Sequence, residues 1–255
     1  MVASRLTLDA LGGIPIVKPG DDLGGLLIDA VRRARIAPRD KDILIVAQKI
    51  VSKAEGRFVD LKTVVPSAQA AALAREVDKD PRLVEVILSE SVGVVRKARN
   101  VLIVAHRLGF VVANAGVDQS NVDAEGSDQV LLLPHDPDGS AAALKATLDR
   151  EFGADLAIII NDSFGRPWRI GVVGVALGAA GLPVVRNMVG SADLFGRKLR
   201  VTEIAVADEI AAAASLLMGQ GSEGQPAVLL RGFDWDGSPT SAAALVRPKE
   251  MDLFR

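Results

Sequence analysis

The chain contains no cysteine and no tyrosine, and only two tryptophans and two histidines. Without cysteine there can be no disulfide, no thiolate zinc site and no cysteine nucleophile. His106 and His135 are too few for a histidine-rich metal centre, so any metal held here takes oxygen ligands. Scarce aromatics leave no platform on which single-stranded nucleic acid could stack. Charge of one sign is missing too: 30 basic residues meet 32 acidic ones, a net charge of −2. Neither nucleic acid nor an anionic membrane surface is then the expected partner. The opening MVASRLTLDALGGIPIV lacks the apolar core of a signal peptide, and no apolar run reaches the ~18 residues of a membrane span. A soluble, cytoplasmic protein is expected.

What is present is an ordinary globular balance, with 49% apolar and 24% charged residues in 255. That length suits one large domain or two small ones with a true core. No internal repeat or low-complexity linker divides it, so two intertwined lobes fit better than separate beads. The pattern predicts a helix over Leu23–Ala34 after Pro19-Gly20-Asp21-Asp22, and a buried strand at Ile43–Ala47 (ILIVA) ending on Gln48-Lys49. Two short helices follow, Ser67–Val77 and Pro81–Leu88, and then strand-like segments at Val92–Val95, Val101–Ala105 and Phe110–Ala113 that read as a hairpin. A short strand at Val130–Leu133 leads to a helix capped by Asp138 or Ser140 and ending near Phe152. Gly171–Gly181 reads as tightly packed strand and turn, and Val201–Leu217 as the strongest helix, with Glu203, Asp208 and Glu209 on it. Residues 233–255 have little periodicity and read as a tail or crossing arm.

The informative stretch is IIINDSFGRPWR, Ile158–Arg169, where an apolar run from Leu156 meets Asn161, Asp162 and Ser163. A buried strand ending there would present a carboxylate beside a hydroxyl, with Arg166 and Arg169 flanking Trp168. Hard cations take oxygen ligands, and a phosphate they carry takes guanidinium partners. The plainer alternative is a polar turn whose side chains bond nearby backbone. A second apolar segment runs into Asn114-Ala115-Gly116-Val117-Asp118-Gln119-Ser120-Asn121, again small residues and an aspartate. Two acidic strand ends can share one cation. Met218–Gln225 (MGQGSEGQ) is a Gly-rich loop between helix and strand, able to form an anion nest or simply to end the helix. It is no P-loop, because the order is wrong and GK[ST] is missing. From these residues alone a metal-dependent phosphatase, a nucleotide hydrolase and a non-catalytic nucleotide-binding protein all stay open.

Six ordered blocks carry a more specific signal: GIPIVKPGDDL, VAQKIVSKAEGR (Val46–Arg57), ANAGVDQSN (Ala113–Asn121), NDSFGRPWR (Asn161–Arg169), VTEIAVADEIAAAASLLMGQ (Val201–Gln220) and VLLRG. Together, from Gly13 to Gly232, they resemble the coenzyme F-420-0:glutamate ligase family. The resemblance implies an α+β fold of two intertwined lobes with mixed sheets, a homodimer, and a free-standing ligase without a second flavin-binding domain. It implies addition of L-glutamate, and of further gamma-linked glutamates, to a lactyl-phospho-deazaflavin precursor. GTP would be consumed with Mg2+ or Mn2+, and K+ is an optional addition. By motif, Asp118, Asp162, Ser163 and Gln220 fall where the family holds its divalent cations, the two aspartates being the catalytic pair. Ile14, Pro15, Ile16, Val17, Gln48, Lys53 and Asn121 fall where GTP is held, as does the loop Met218, Gly219, Gln220, Gly221, Ser222, Glu223, Gly224 and Gln225. Joining a carboxylate to an amine needs an activated acyl group, most simply an acyl phosphate. Phosphoryl transfer is mainly positioning and charge neutralisation, so the missing cysteine is no handicap.

Overall fold

The computed structural model describes residues 5–120 and 128–253. Its centre is a five-stranded mixed sheet in the order β1 (Thr7–Ala10), β12 (Ala227–Arg231), β2 (Ile43–Ala47), β8 (Ala157–Arg166), β9 (Arg169–Ala180). β2 and β8 run parallel, pairing Ile43 with Ala157 through to Ala47 with Asn161, while the other neighbours are antiparallel. Because side chains alternate along a strand, ILIVA splits between two cores. Leu44 and Val46 pack with Ile158 and Ile160 against helices α1 (Leu23–Arg33) and α5 (Pro137–Phe152). Ile43 and Ile45 pack with Ile159 against α6 (Val206–Met218). Both faces are covered, and that is why the run is continuously apolar.

The chain between β2 and β8 builds further layers. Helix α2 (Gln48–Ala54) follows β2 at once, and β3 (Phe58–Asp60) pairs with β7 (Gln129–Leu131). Helices α3 (Ala68–Val77) and α4 (Pro81–Ser89) pack Ala74, Val77, Val84 and Ile87 on Leu102 and Val104. The latter two belong to the sheet β4 (Ser91–Ala98), β5 (Val101–His106), β6 (Val111–Ala113). A two-stranded ladder, β10 (Arg186–Asn187) with β11 (Glu203–Ile204), completes an α+β fold with mixed sheets. Among the described residues no helix is long and apolar enough to cross a membrane.

Several expectations need correction. The strand β8 does not stop at Asn161 but runs to Arg166, since β9 keeps pairing its backbone as far as Arg166 with Arg169. What ends at Asn161 is β2, whose last residue Ala47 is its partner. Beyond that point β8 and β9 project past the sheet, and apolar side chains lose their cover. α5 is capped by Asp136, which accepts from Gly139 N at 3.0 Å, because Pro137 fits the first helical position. The expected cap Asp138 instead accepts from Ala179 N and Ala242 N, both at 2.8 Å. α6 starts at Val206, and Glu203 pairs with Asn187 in the small ladder instead of lying on the helix. The polar connection expected at Arg96–Asn100 is shorter, as β4 continues to Ala98. Gly171–Ala180 is strand with the turn following at Gly181, as expected, and Gly174–Ala179 is largely buried within the chain. Exposed apolar surface lies at Trp168, Ile170, Leu194 and Phe195.

Candidate functional site

A cleft of about 1540 Å³ lies between the β8–β9 arm, α2, the β4–β6 sheet and the loop after α6. Its acidic floor is assembled from two directions. After β6 the chain makes a tight turn in which Asn114, Ala115 and Gly116 have φ of 51°, 55° and 66°. Left-handed backbone is costly for alanine, and it is held by packing: Ala115 is buried in the α3–α4 core and Gly116 lies against Leu133, leaving no room for a Cβ. The small residues therefore serve the turn, and the turn delivers Asp118, locked by paired 2.9 Å backbone bonds with Leu131. Asp162 arrives from mid-strand in β8. Neither aspartate occupies a strand end as expected from sequence.

Asp118 Oδ1 accepts from Ser120 N and Oγ at 2.7 and 2.8 Å, and its Oδ2 is 2.6 Å from Lys49 Nζ. Asp162 is half-buried. Burial pushes its carboxyl up to about 6; the nearby Asp118 charge adds to the rise, while Ser163 N–H, the Lys49 charge and a Gln48 hydrogen bond oppose it. Gln48 itself is buried, its Oε1 accepting from Ser52 Oγ at 2.9 Å. Ser163 Oγ donates to Gln220 Oε1 at 2.9 Å. Two carboxylates, a hydroxyl and an amide oxygen thus face one cleft, a donor set that suits a hard divalent cation. The Lys49 ammonium already answers one of those carboxylates. Among the described residues no group of three His, Cys, Asp or Glu forms a metal cluster, so such an ion would rely on the serine, the amide and water beyond Asp118 and Asp162.

The candidates for the nucleotide are also brought together. Ile14, Pro15, Ile16 and Val17 line the cleft with Gln48 and Lys53, and Lys53 is only 8% exposed, not the solvated surface lysine that composition alone would favour. Met218, Gly219, Gln220, Gly221, Ser222, Gly224 and Gln225 line it too. Glu223 does not: its carboxylate folds back on its own loop, accepting from Gly221 N at 2.8 Å, and occupies the nest those N–H groups form. Backbone N–H donors hold that carboxylate below its usual range. Asn121 lies outside the described residues. Two cleft residues carried no weight in the sequence, Lys49 and Asn161. Their only signal was position, Lys49 just past the end of β2 and Asn161 as the first polar residue after an apolar run.

Fold and cleft together define an α+β protein whose acidic floor and glycine-rich loop suit a cation and an anion side by side. The model of the F420-0:Gamma-glutamyl ligase family matches residues 13–232. The chain is 46% identical to the coenzyme F420:L-glutamate ligase of Methanothermobacter thermautotrophicus, over 98% of this chain and 99% of that protein. It is 44% identical to that of Methanopyrus kandleri (94% and 93% covered) and 41% to that of Archaeoglobus fulgidus (98% and 97%). The chain belongs to the F420-0:gamma-glutamyl ligase family.

Proposed function

We propose that this protein is a GTP-dependent ligase that adds L-glutamate to the lactyl-phospho-deazaflavin precursor of coenzyme F420. The observation that carries the reading is the pairing of Asp118 and Asp162 across a cleft that also holds a buried lysine and a glycine-rich loop, in a chain of this family. In the first step a precursor carboxylate oxygen attacks the γ-phosphorus of GTP and GDP leaves, giving an acyl phosphate. In the second the glutamate nitrogen, having lost a proton to solvent, bonds to the acyl carbon; the C–O bond to phosphate breaks, phosphate leaves with the electron pair, and a second proton is shed. Mg2+ or Mn2+ held by Asp118, Asp162, Ser163 and Gln220 supplies charge neutralisation to the phosphates. Lys53, Gln48, Ile14–Val17 and the 218–225 loop bind and orient the nucleotide. K+ as an additional cation, repeated gamma-linked addition and a cytoplasmic site of action belong to the same reading.

Homodimerisation belongs to it as well. Trp168, Ile170, Leu194 and Phe195, each 87% or more exposed, give the subunit apolar surface to cover. Light scattering at micromolar concentration should give the mass of two chains; a monomer removes this element. The activity test is incubation with GTP, Mn2+, glutamate and the precursor. Glutamate-dependent phosphate release with a heavier product is expected, whereas phosphate release without glutamate marks a hydrolase and nucleotide binding alone marks a non-catalytic homologue.

A further inference from the structure

The acidic floor already holds a cation of its own. Lys49 Nζ is 2.6 Å from Asp118 Oδ2 and donates to Ser120 O at 3.0 Å and to Ser120 Oγ at 3.2 Å, so carboxylate, carbonyl and hydroxyl oxygens surround one ammonium. Oxygens of those kinds are what a hard divalent ion takes. Solvent reaches the pair, because Lys49 and Asp118 both line the cleft and their side chains are 24% and 27% exposed. A lysine so placed is either a tie that positions Asp118 or a stand-in for another cation. Asp118 does not depend on it for position: its backbone is paired with Leu131 through two 2.9 Å bonds, and its Oδ1 accepts from Ser120 N and Oγ at 2.7 and 2.8 Å. Lys49 takes the oxygen that is left.

Given the metal-dependent ligase reading above, on which this rests, we propose that Lys49 is the resident counter-ion of the acidic floor, and that a divalent cation binds by displacing its ammonium from Asp118 Oδ2. Two cations on one carboxylate oxygen stand within about 4 Å of each other and repel. One of them has to leave. The flexible four-carbon stem of a lysine lets Nζ swing away while α2 stays where it is. Before the ion enters, Lys49 offsets the repulsion between Asp118 and Asp162, which line the same cleft. The floor therefore keeps its two carboxylates together without a metal, and binds one less tightly than those carboxylates alone would.

The test uses the metal alone. Mn2+ is titrated calorimetrically into nucleotide-free wild type and Lys49→Met at pH 8 and low salt, methionine keeping most of the stem without its charge. Mn2+ should bind the variant about tenfold tighter, the size expected for removing one charge about 4 Å from a divalent ion at a partly exposed site. A second measurement needs no variant and serves if Lys49→Met does not fold. Acetic anhydride labelling of wild type, read by peptide mass spectrometry, should be several-fold faster at Lys49 with saturating Mg2+ than without it. Lys145, bonded to Asp149, Asp155 and the Leu156 carbonyl outside the cleft, should keep its rate. Unchanged or weaker Mn2+ affinity in the folded variant makes Lys49 a tie for Asp118 and overturns the assignment, as does a Lys49 labelling rate indifferent to Mg2+. A wild type that binds no Mn2+ removes the metal reading itself, so the two failures are told apart.

Discussion

Glu90, buried at the end of α4, and Asp162, half-buried in β8, are both carboxylates that burial works to raise, yet their titration shifts in opposite directions. Burial works to raise Glu90, but His106 at 3.7 Å and the guanidinium groups of Arg107 and Arg57, at 3.0 and 3.1 Å, hold it down at about 2. Of these the arginines, within hydrogen-bond range, carry most of the effect. Those arginines also donate to the carbonyls of Leu133, Pro134 and His135, so Glu90 ties the segment that returns from β7 to the α4–β4 corner. Asp162 has one amide, one backbone N–H and a lysine shared with Asp118, and it is pushed up to about 6. A structural carboxylate is saturated with partners. A carboxylate left short of them, with a second one beside it, is built to receive something positive.

The largest test of that contrast is Asp162→Asn. The amide keeps the shape but not the charge that a hard cation requires, so ligation should fall by about 100-fold or more at fixed Mn2+ while the circular dichroism spectrum is retained. Apo stability should hold or rise, since the repulsion with Asp118 disappears. Wild-type rate and metal dependence would remove Asp162 from the site. Glu90→Gln should do the reverse. Two guanidinium groups lose their counter-charge, which costs about 3–5 kcal/mol in urea unfolding, while the manganese dependence of the surviving folded enzyme is unchanged.

The pH dependence separates the same two groups. Glu90 sits below its unfolded value of 4.5, so its contribution is fully present above that pH and is lost as pH falls toward about 2. Asp162 sits above its unfolded value of 3.8, so its burial costs nothing below that pH and destabilises the metal-free fold as pH rises through about 6. A cation must displace that proton, so Mn2+ affinity should weaken by about tenfold for each unit below pH 6, up to one bound proton. Calorimetric titration with Mn2+ from pH 5 to 8 reads this directly, and a flat profile would count against metal binding at Asp162. Lys53→Met should weaken GTP binding by about tenfold, because a buried ammonium contributes a charge-assisted bond that methionine cannot replace.

How much of this was legible beforehand follows the physics of each element. ILIVA and Leu156–Ile160 read correctly because a strand covered on both faces must be apolar throughout, and the first helix read correctly because Asp22, its cap, stands just before an apolar face at helical spacing. The strand β1 (TLDA) is short and one-sided, α2 follows β2 without any breaker, and neither leaves a periodic signal. Asp162 and Asp118, singled out from the sequence, do line one cleft, but their setting was misread, since a switch from apolar to polar marks where cover ends and not where backbone pairing ends. The settings of Lys49 and Asn161 depend on contacts with Asp118 and with α6, far away in sequence, and no local pattern reveals them.

Glu223 offers the smallest and most pointed measurement, because its carboxylate, like that of Glu90, is held below its usual range but, unlike Glu90, it stands in solvent. Its donors are the backbone N–H groups of Glu223 itself, Gly221 and Gln220, in the loop proposed to meet the nucleotide. A phosphate seeking those same N–H groups has to displace a negative charge already seated there. Glu223→Gln keeps an oxygen that can accept from Gly221 but removes the charge, so the loop should stay ordered and anion entry should become easier. The site is exposed and screened, so the gain is small, roughly two- to threefold tighter GTP binding at low salt, vanishing as ionic strength rises. Calorimetry at about 20 and 300 mM salt measures it, the lower value giving a Debye length near 20 Å. Weaker binding in the variant at both salts would mean that the carboxylate organises the loop for the nucleotide; Glu223 would then belong with Glu90 as a structural group.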